Sequence, residues 1–534
     1  MATGKALDGK PYAGNPHVRF DEGEVAPAAK PRRGSLLYNN RTMSVVGALV
    51  LAAVAGTARG ANGAFSVAGI FSDHMVLQRG RPVSVWGEAA PGTKVSVRFG
   101  DAAAKAVAGA DGEWCATLPA MSVRKKGGTL SVKASGVASG EAVFTDVLVG
   151  DVWLCGGQSN MAFGVPSVIG AAEEAARAAD FPDVRVVKIE KCQEPSPVKR
   201  VRCGKWDVCT PARLLNKASP VTAVGYFFAR RLNGATGVPQ GILHDNWAGS
   251  KIQPFIPLDA LKGVPQLETL AEGDGKAAVA VAFNAMVAPI ARFPIAGALW
   301  YQGESNVGNA NYLPMLKALA GGWRKAWGYD FPFCVFQLSS IRDPDPNPAQ
   351  NWPRARTRDD QRRAAEEIPD CGLVVTMDVG ATHEHPLNKR DVGERAALWA
   401  LHRVYDRKDV VPSGPMFDGF VREGDRLRVK FRFASEGGGL VAAEKNPEKP
   451  GAVPVAKDTK NVKGFTVQDE NGKWHTAEAV IDGDCVVVSA PGVKNLENVR
   501  YAHFYNTMGI ADLYSAAGLP AAAFRTDRGK AGSK

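Results

Sequence analysis

A serine hydroxyl is a poor nucleophile at neutral pH. It needs a base within hydrogen-bond reach, a group that orients the base, and donors aimed at the oxyanion formed when it attacks a carbonyl. The segment Gly156-Gly157-Gln158-Ser159-Asn160-Met161 offers such a serine. It follows a strand-like run at 147–155, so a small-residue turn delivers Ser159 at a strand's carboxyl end, where open α/β sheets place reactive groups. Ser159 does not sit in a Gly-x-Ser-x-Gly elbow, and the α/β-hydrolase geometry is not indicated. A lone serine in a glycine-rich turn is more often structural, so its weight rests on three further segments.

Each of the three follows a strand-like run. Asn246-Trp247-Ala248-Gly249-Ser250 carries small residues that let a backbone N–H approach a ligand closely. Gln302-Gly303-Glu304-Ser305-Asn306 places amides and a carboxylate directly after the apolar run 298–301. Asp378-Val379-Gly380-Ala381-Thr382-His383-Glu384-His385-Pro386 ends the last apolar strand and precedes a helix, a place suited to a catalytic base. The other histidines are His74, His402, His475 and His503 in ordinary strand or helix contexts, His244 inside a strand, and His17 in the leader. His383 and His385 with Asp378 could begin a metal site, but a third strong ligand at a standard spacing is missing.

The elements that position these segments alternate. Strand-like runs at 152–155, 184–189, 241–246, 297–302, 333–338 and 373–377 are interleaved with helix-length amphipathic segments at 221–232, 277–290, 312–327, 359–367 and 391–404. That alternation implies a parallel sheet with helices on both faces. Residues 65–146 read instead as short alternating strands separated by Pro-Gly, Asp-Gly and Gly-Gly turns, a small β-sandwich. After Pro412 the pattern returns to β, with strict alternation over 426–433 and a Gly-, Pro- and Lys-rich stretch at 435–462 that reads as a mobile loop. The expected division is a leader at 1–64, an N-terminal β domain at 65–146, a catalytic α/β domain at 147–410, and a C-terminal β domain and tail at 411–534.

The chain has 534 residues, 45% hydrophobic and 22% charged, as in ordinary globular proteins. Its net charge of +11 is scattered, apart from an excess of basic residues in the leader. Without a dense Lys/Arg run this fits solubility or weak attraction to acidic glycans, and not nucleic-acid binding. The apolar run at 45–54, followed by Ala55-Gly56-Thr57-Ala58, is too short to span a bilayer comfortably. It fits a signal peptide starting at Met43, and so a secreted or periplasmic protein with no stable membrane span. None of the 8 cysteines forms a Cys-x-x-Cys pair, so they read mostly as buried small hydrophobes, with one bridge possible among Cys192, Cys203 and Cys209.

Taken together, five blocks in order resemble the sialate O-acetylesterase-like (SASA) branch of the SGNH hydrolases, a family of carbohydrate esterases. They are Phe71 to Arg79 (FSDHMVLQR), Gly150 to Met161 (GDVWLCGGQSNM), Trp300 to Asn306 (WYQGESN), His385 to Lys389 (HPLNK), and Gly518 to Asp527. The resemblance implies a flavodoxin-like three-layer α/β/α domain with flanking β-sandwich or jelly-roll domains. It implies hydrolysis of acetyl esters on an O-acetylated sugar or glycan without a metal or other cofactor. Ser159 would be the nucleophile and His385 its base. The oxyanion donors would be Ser159, Gly249 and Gln302, with Asn306 as the alternative amide. The family's frequent Asp-x-x-His spacing is not kept, because Thr382 stands three residues before His385. Asp378 is then the expected orienting acid, and a Ser–His dyad assisted by a backbone carbonyl is the alternative. Ala248 replaces a common glycine but still offers its N–H. Arg358 and Gln361 resemble a family Arg-x-x-Gln and are expected near the site or bracing it. Other readings left open are a non-catalytic glycan-binding protein, an esterase of acetylated xylan or xyloglucan, and a lipase or thioesterase.

Overall fold

The computed structural model describes residues 65–271, 279–380 and 384–527. The expected signal peptide lies outside them. Among the described residues no helix is long and apolar enough to cross a membrane.

The chain is mixed α/β with several sheets, organised around one long strand. Strand β1 (Lys94–Phe99) points Val95, Val97 and Phe99 inward and charged or polar residues outward. It pairs antiparallel with β2 (Arg124–Ser135), which pairs antiparallel with β3 (Gly140–Gly157). The first seven residues of β3 are at least partly exposed, whereas everything from Val147 onward is buried. That change marks the passage from an antiparallel ribbon with one wet face to a parallel sheet covered on both. The boundary expected at 146/147 therefore falls inside a single strand.

The parallel part adds β4 (Val184–Lys188), β5 (Gln240–Asn246), β6 (Gly297–Tyr301), β7 (Phe333–Gln337) and β8 (Cys371–Val375), in the order β4-β5-β3-β6-β7-β8. All five adjacent pairs are parallel. The chain winds to one side of β3 and then to the other, which leaves a switch point at its carboxyl end.

Alternation along the strands sorts side chains into two cores. Val152, Leu154, Leu243, Trp300 and Val335 join helix Tyr312–Trp327 in one. Trp153, Cys155, Ile242, Tyr301 and Phe336 join helices Ala223–Thr236 and Lys389–Arg403 in the other. A third core forms from the C-terminal strands, among them Arg426–Arg432 and Cys485–Ser489, and takes in Leu373, Val375 and Met377 from the edge of the parallel sheet.

Several expectations change. The helix expected over 277–290 is a π turn, Phe283–Val287, followed by a 3-10 turn, Ala288–Ile290. Pro289 supplies no N–H to a regular ladder there. The helix expected from 359 begins at Pro353, whose missing N–H costs nothing at a first helical position. The stretch 435–462, read as a mobile loop, contains strands Leu440–Glu444 and Val455–Ala456, and Lys445 is buried against Asp391 at 2.7 Å. Cys192, Cys203 and Cys209 are free thiols.

Candidate active site

Ser159 opens a one-turn helix, Ser159–Ala162, directly after β3. The turn is closed by glycine geometry. Gly157 has φ +135°, and a Cβ there would lie 2.1 Å from the Tyr301 backbone oxygen. Neighbouring strands hold the turn from both sides. Gln158 N donates to Tyr301 O at 3.0 Å, and Trp247 N donates to Gly157 O at 2.9 Å. Ser159 is half-buried.

The second block places Gly249 at the surface with φ +73° and nothing within 4 Å of where its Cβ would be. An L-residue is disfavoured in that conformation. Ser305 Oγ donates to Gly249 O at 3.0 Å, joining the second block to the third.

Gln302 differs from the expectation. Its side chain is fully buried, and Nε2 donates to Gln158 Oε1 at 3.0 Å, Asn306 Oδ1 at 2.8 Å and Ser250 O at 3.2 Å. Tyr312 Oη donates to Gln302 Oε1 at 3.0 Å. The amide expected to face the oxyanion is turned into the protein. Asn306 is also buried, its Oδ1 accepting from Ile252 N at 2.9 Å and its Nδ2 donating to Gln253 Oε1 at 3.1 Å. The amide that sequence reasoning passed over is Gln158. Three donors converge on its Oε1: Gln302 Nε2 at 3.0 Å, Gly303 N at 3.4 Å and Ser305 N at 3.2 Å. Three donors on one atom fix it as the oxygen, and they fix the amide's orientation.

His385 is half-buried, and its ring stacks on Phe163 with centroids 6.2 Å apart and planes at 23°. Phe163 is four residues beyond Ser159, so the His385 segment packs on the segment that carries Ser159. The two are also joined by Asn160, whose Nδ2 donates to Glu384 O at 2.9 Å and to Glu304 Oε1 at 2.5 Å. Lys389 Nζ donates to Asn160 Oδ1 and lies 5.1 Å from the ring centre of Phe163 and 5.5 Å from that of Tyr301. Lys389 is fully buried, which pushes its ammonium down to about 7 from 10.5. Burial likewise raises the Glu304 carboxyl, opposed by Arg354 and the bond from Asn160. His383 lies outside the described residues.

Asp378 is buried just after the last strand, and both its oxygens are taken up by other side chains. Arg395 donates to both, at 2.6 and 2.7 Å, and Tyr514 Oη donates to one at 3.3 Å. The expected orienting acid is thus the anchor of an ion pair between the strand end and helix Lys389–Arg403. Arg358 and Gln361 are braces. Arg358 donates to Leu338 O at 2.7 Å, Ser339 O at 2.8 Å and Tyr505 O at 2.9 Å. Gln361 Nε2 donates to Gln302 O at 3.0 Å while its Oε1 accepts from Leu338 N at 2.9 Å.

A serine at a switch-point turn, a histidine packed on the same segment and a shell of fixed amides make this the candidate site. Residues 149–399 match the family described as carbohydrate esterase, sialic acid-specific acetylesterase. The fold is similar to the crystal structure of a carbohydrate acetylesterase from Xanthomonas citri, with 32% sequence identity and a TM-score of 0.75, over 86% of this chain and 99% of that one. Sialate O-acetylesterase of Homo sapiens is 29% identical over 407 residues, covering 69% of this chain and 76% of the human one. That of Rattus norvegicus is 28% identical over 436 residues, covering 70% and 79%. The chain belongs to this family of carbohydrate esterases, and it is a carboxylic-ester hydrolase.

Proposed function

We propose that the protein removes acetyl groups from O-acetylated sugars through an acetyl-serine intermediate. The observation that carries the reading is the stacking of His385 on Phe163, which laps the base onto the nucleophile's segment. Ser159 Oγ attacks the acetyl carbonyl as His385 takes its proton. The tetrahedral intermediate collapses, the C–O bond to the sugar breaks, and the sugar oxygen takes the proton from His385. Water, deprotonated by His385, then attacks acetyl-Ser159. Acetate leaves and Ser159 regains its proton.

The oxyanion is held by the N–H groups of Ser159 and Gly249 and by Nε2 of Gln158. The last assignment replaces Gln302, whose amide is used to hold Gln158 in place. With Asp378 paired to Arg395, this reading gives Asp378 no role in orienting His385. The relatives' names favour an acetylated sialic acid as substrate. The sheet order and its two cores support a three-layer, flavodoxin-like catalytic domain, with β modules before and after it. The leader supports a secreted or periplasmic location.

The test is mass spectrometry of enzyme quenched during turnover of an O-acetylated sialic acid. An acetyl group is expected on the peptide bearing Ser159. Steady turnover with no acetylation at any time point would contradict a covalent mechanism.

A further inference from the structure

Asn160 is held by groups of opposite chemistry. Its Oδ1 receives Lys389 Nζ, while its Nδ2 serves two acceptors, Glu304 Oε1 at 2.5 Å and Glu384 O at 2.9 Å. A lysine ammonium offers only donors and a backbone carbonyl only accepts, so these partners allow one orientation of the amide. Reversing it would set oxygen against oxygen at both Glu304 and Glu384, in a buried site where a lost partner is costly. Glu384 is the residue before His385, and Asn160 is the residue after Ser159. One amide therefore ties the residue after Ser159 to the residue before His385.

Lys389 is placed for this task and for little else. It lies in the first turn of helix Lys389–Arg403, fully buried, with its ammonium over the rings of Phe163 and Tyr301. Phe163 is the ring on which His385 stacks. Among the described residues no carboxylate forms an ion pair with it; its one hydrogen bond goes to Asn160. A buried lysine without an ion pair is expensive, and a methionine of similar length would fill the same space.

We propose that Lys389 is a positioning residue for the esterase reaction: by donating to Asn160 Oδ1 it locks the amide that holds the His385 loop against the Ser159 turn. Glu304 is the acceptor on the other side of the lock. The inference rests on the reading of Ser159 and His385 as nucleophile and base.

The experiment is a donor–acceptor swap in the full chain, with acetate release from an O-acetylated sialic acid as readout and thermal melting run alongside. Lys389→Met is expected to lower kcat on the order of a hundredfold with KM little changed, because reacting groups misplaced by about 1 Å lose that much. Asn160→Asp is expected to fall by a similar factor, since its carboxylate keeps Lys389 but cannot donate to Glu304 or Glu384. Its activity relative to wild type at the same pH should recover as pH falls and the introduced carboxylate and Glu304 come to share a proton. Adding Glu304→Gln to Asn160→Asp restores a donor between the two side chains, though not the bond to Glu384 O, and should regain part of the lost kcat over Asn160→Asp alone, a coupling that independent effects would not give. The proposal is overturned if Lys389→Met keeps wild-type kcat, or if the double variant is no better than Asn160→Asp. Ser159→Ala runs beside them: if it retains turnover, the underlying reading of the nucleophile has failed, whatever the swap shows.

Discussion

Asp378 gives both carboxylate oxygens to the guanidinium of Arg395, at 2.6 and 2.7 Å. A carboxylate committed in this way anchors a strand end to a helix. Asp378→Asn should therefore act on stability first, since breaking a buried pair leaves Arg395 uncompensated and costs about 3–5 kcal/mol. Turnover per folded molecule should stay within about tenfold of wild type, whereas loss of a triad aspartate lowers kcat by about 10⁴. Denaturant melts and kcat measured on the folded fraction separate the two.

Gln158→Glu isolates the oxyanion donor. A carboxylate at that position still accepts from Gln302, Gly303 and Ser305, so the framework is kept, but the Nε2 donor becomes an oxygen. The expected loss is about 10²–10³ in kcat with KM nearly unchanged. A variant with wild-type kcat would return the role to another amide.

Asp245 provides a pH test beside the nucleophile strand, where it pairs in register with Gly156. It is fully buried and neither oxygen has a hydrogen-bond partner among the described residues. Burial raises its pKa from 3.8 to about 7. The folded protein thus holds a proton that the unfolded chain releases, and stability from this group falls as pH rises through that window, from 3.8 to about 7. Asp245→Asn should remove the slope and raise stability above the window by up to about 4 kcal/mol, from a shift of about 3 units. Parallel urea melts at acidic and alkaline pH check it. A difference in stability between wild type and Asp245→Asn that stays constant across the window would show the Asp245 carboxyl to be unshifted.

The strand ends and the order of the site segments were legible because buried parallel strands leave apolar runs with polar residues clustered after them. The long strand β3 was not, since its crossing from one kind of sheet to the next leaves no turn signal. The direction of the Gln302 amide was equally hidden. It depends on Tyr312, which donates to its Oε1, and on Gln158, Ser250 and Asn306, which accept from its Nε2. Lys389 falls two residues before the helix expected at 391–404, and the rings of Phe163 and Tyr301 around it show that it is inside. Asp378 was chosen as the nearest upstream carboxylate. Its partner Arg395, 17 residues further on, becomes visible only once the helix folds back on the strand.

The central claim is tested most directly by acetate release from O-acetylated sialic acid and acetylated xylan, comparing wild type with Ser159→Ala and His385→Ala. Wild type should release acetate from at least one of them. Each variant should fold and lose about 10³-fold or more of that activity. Wild-type rates from Ser159→Ala would place the nucleophile elsewhere and contradict the account.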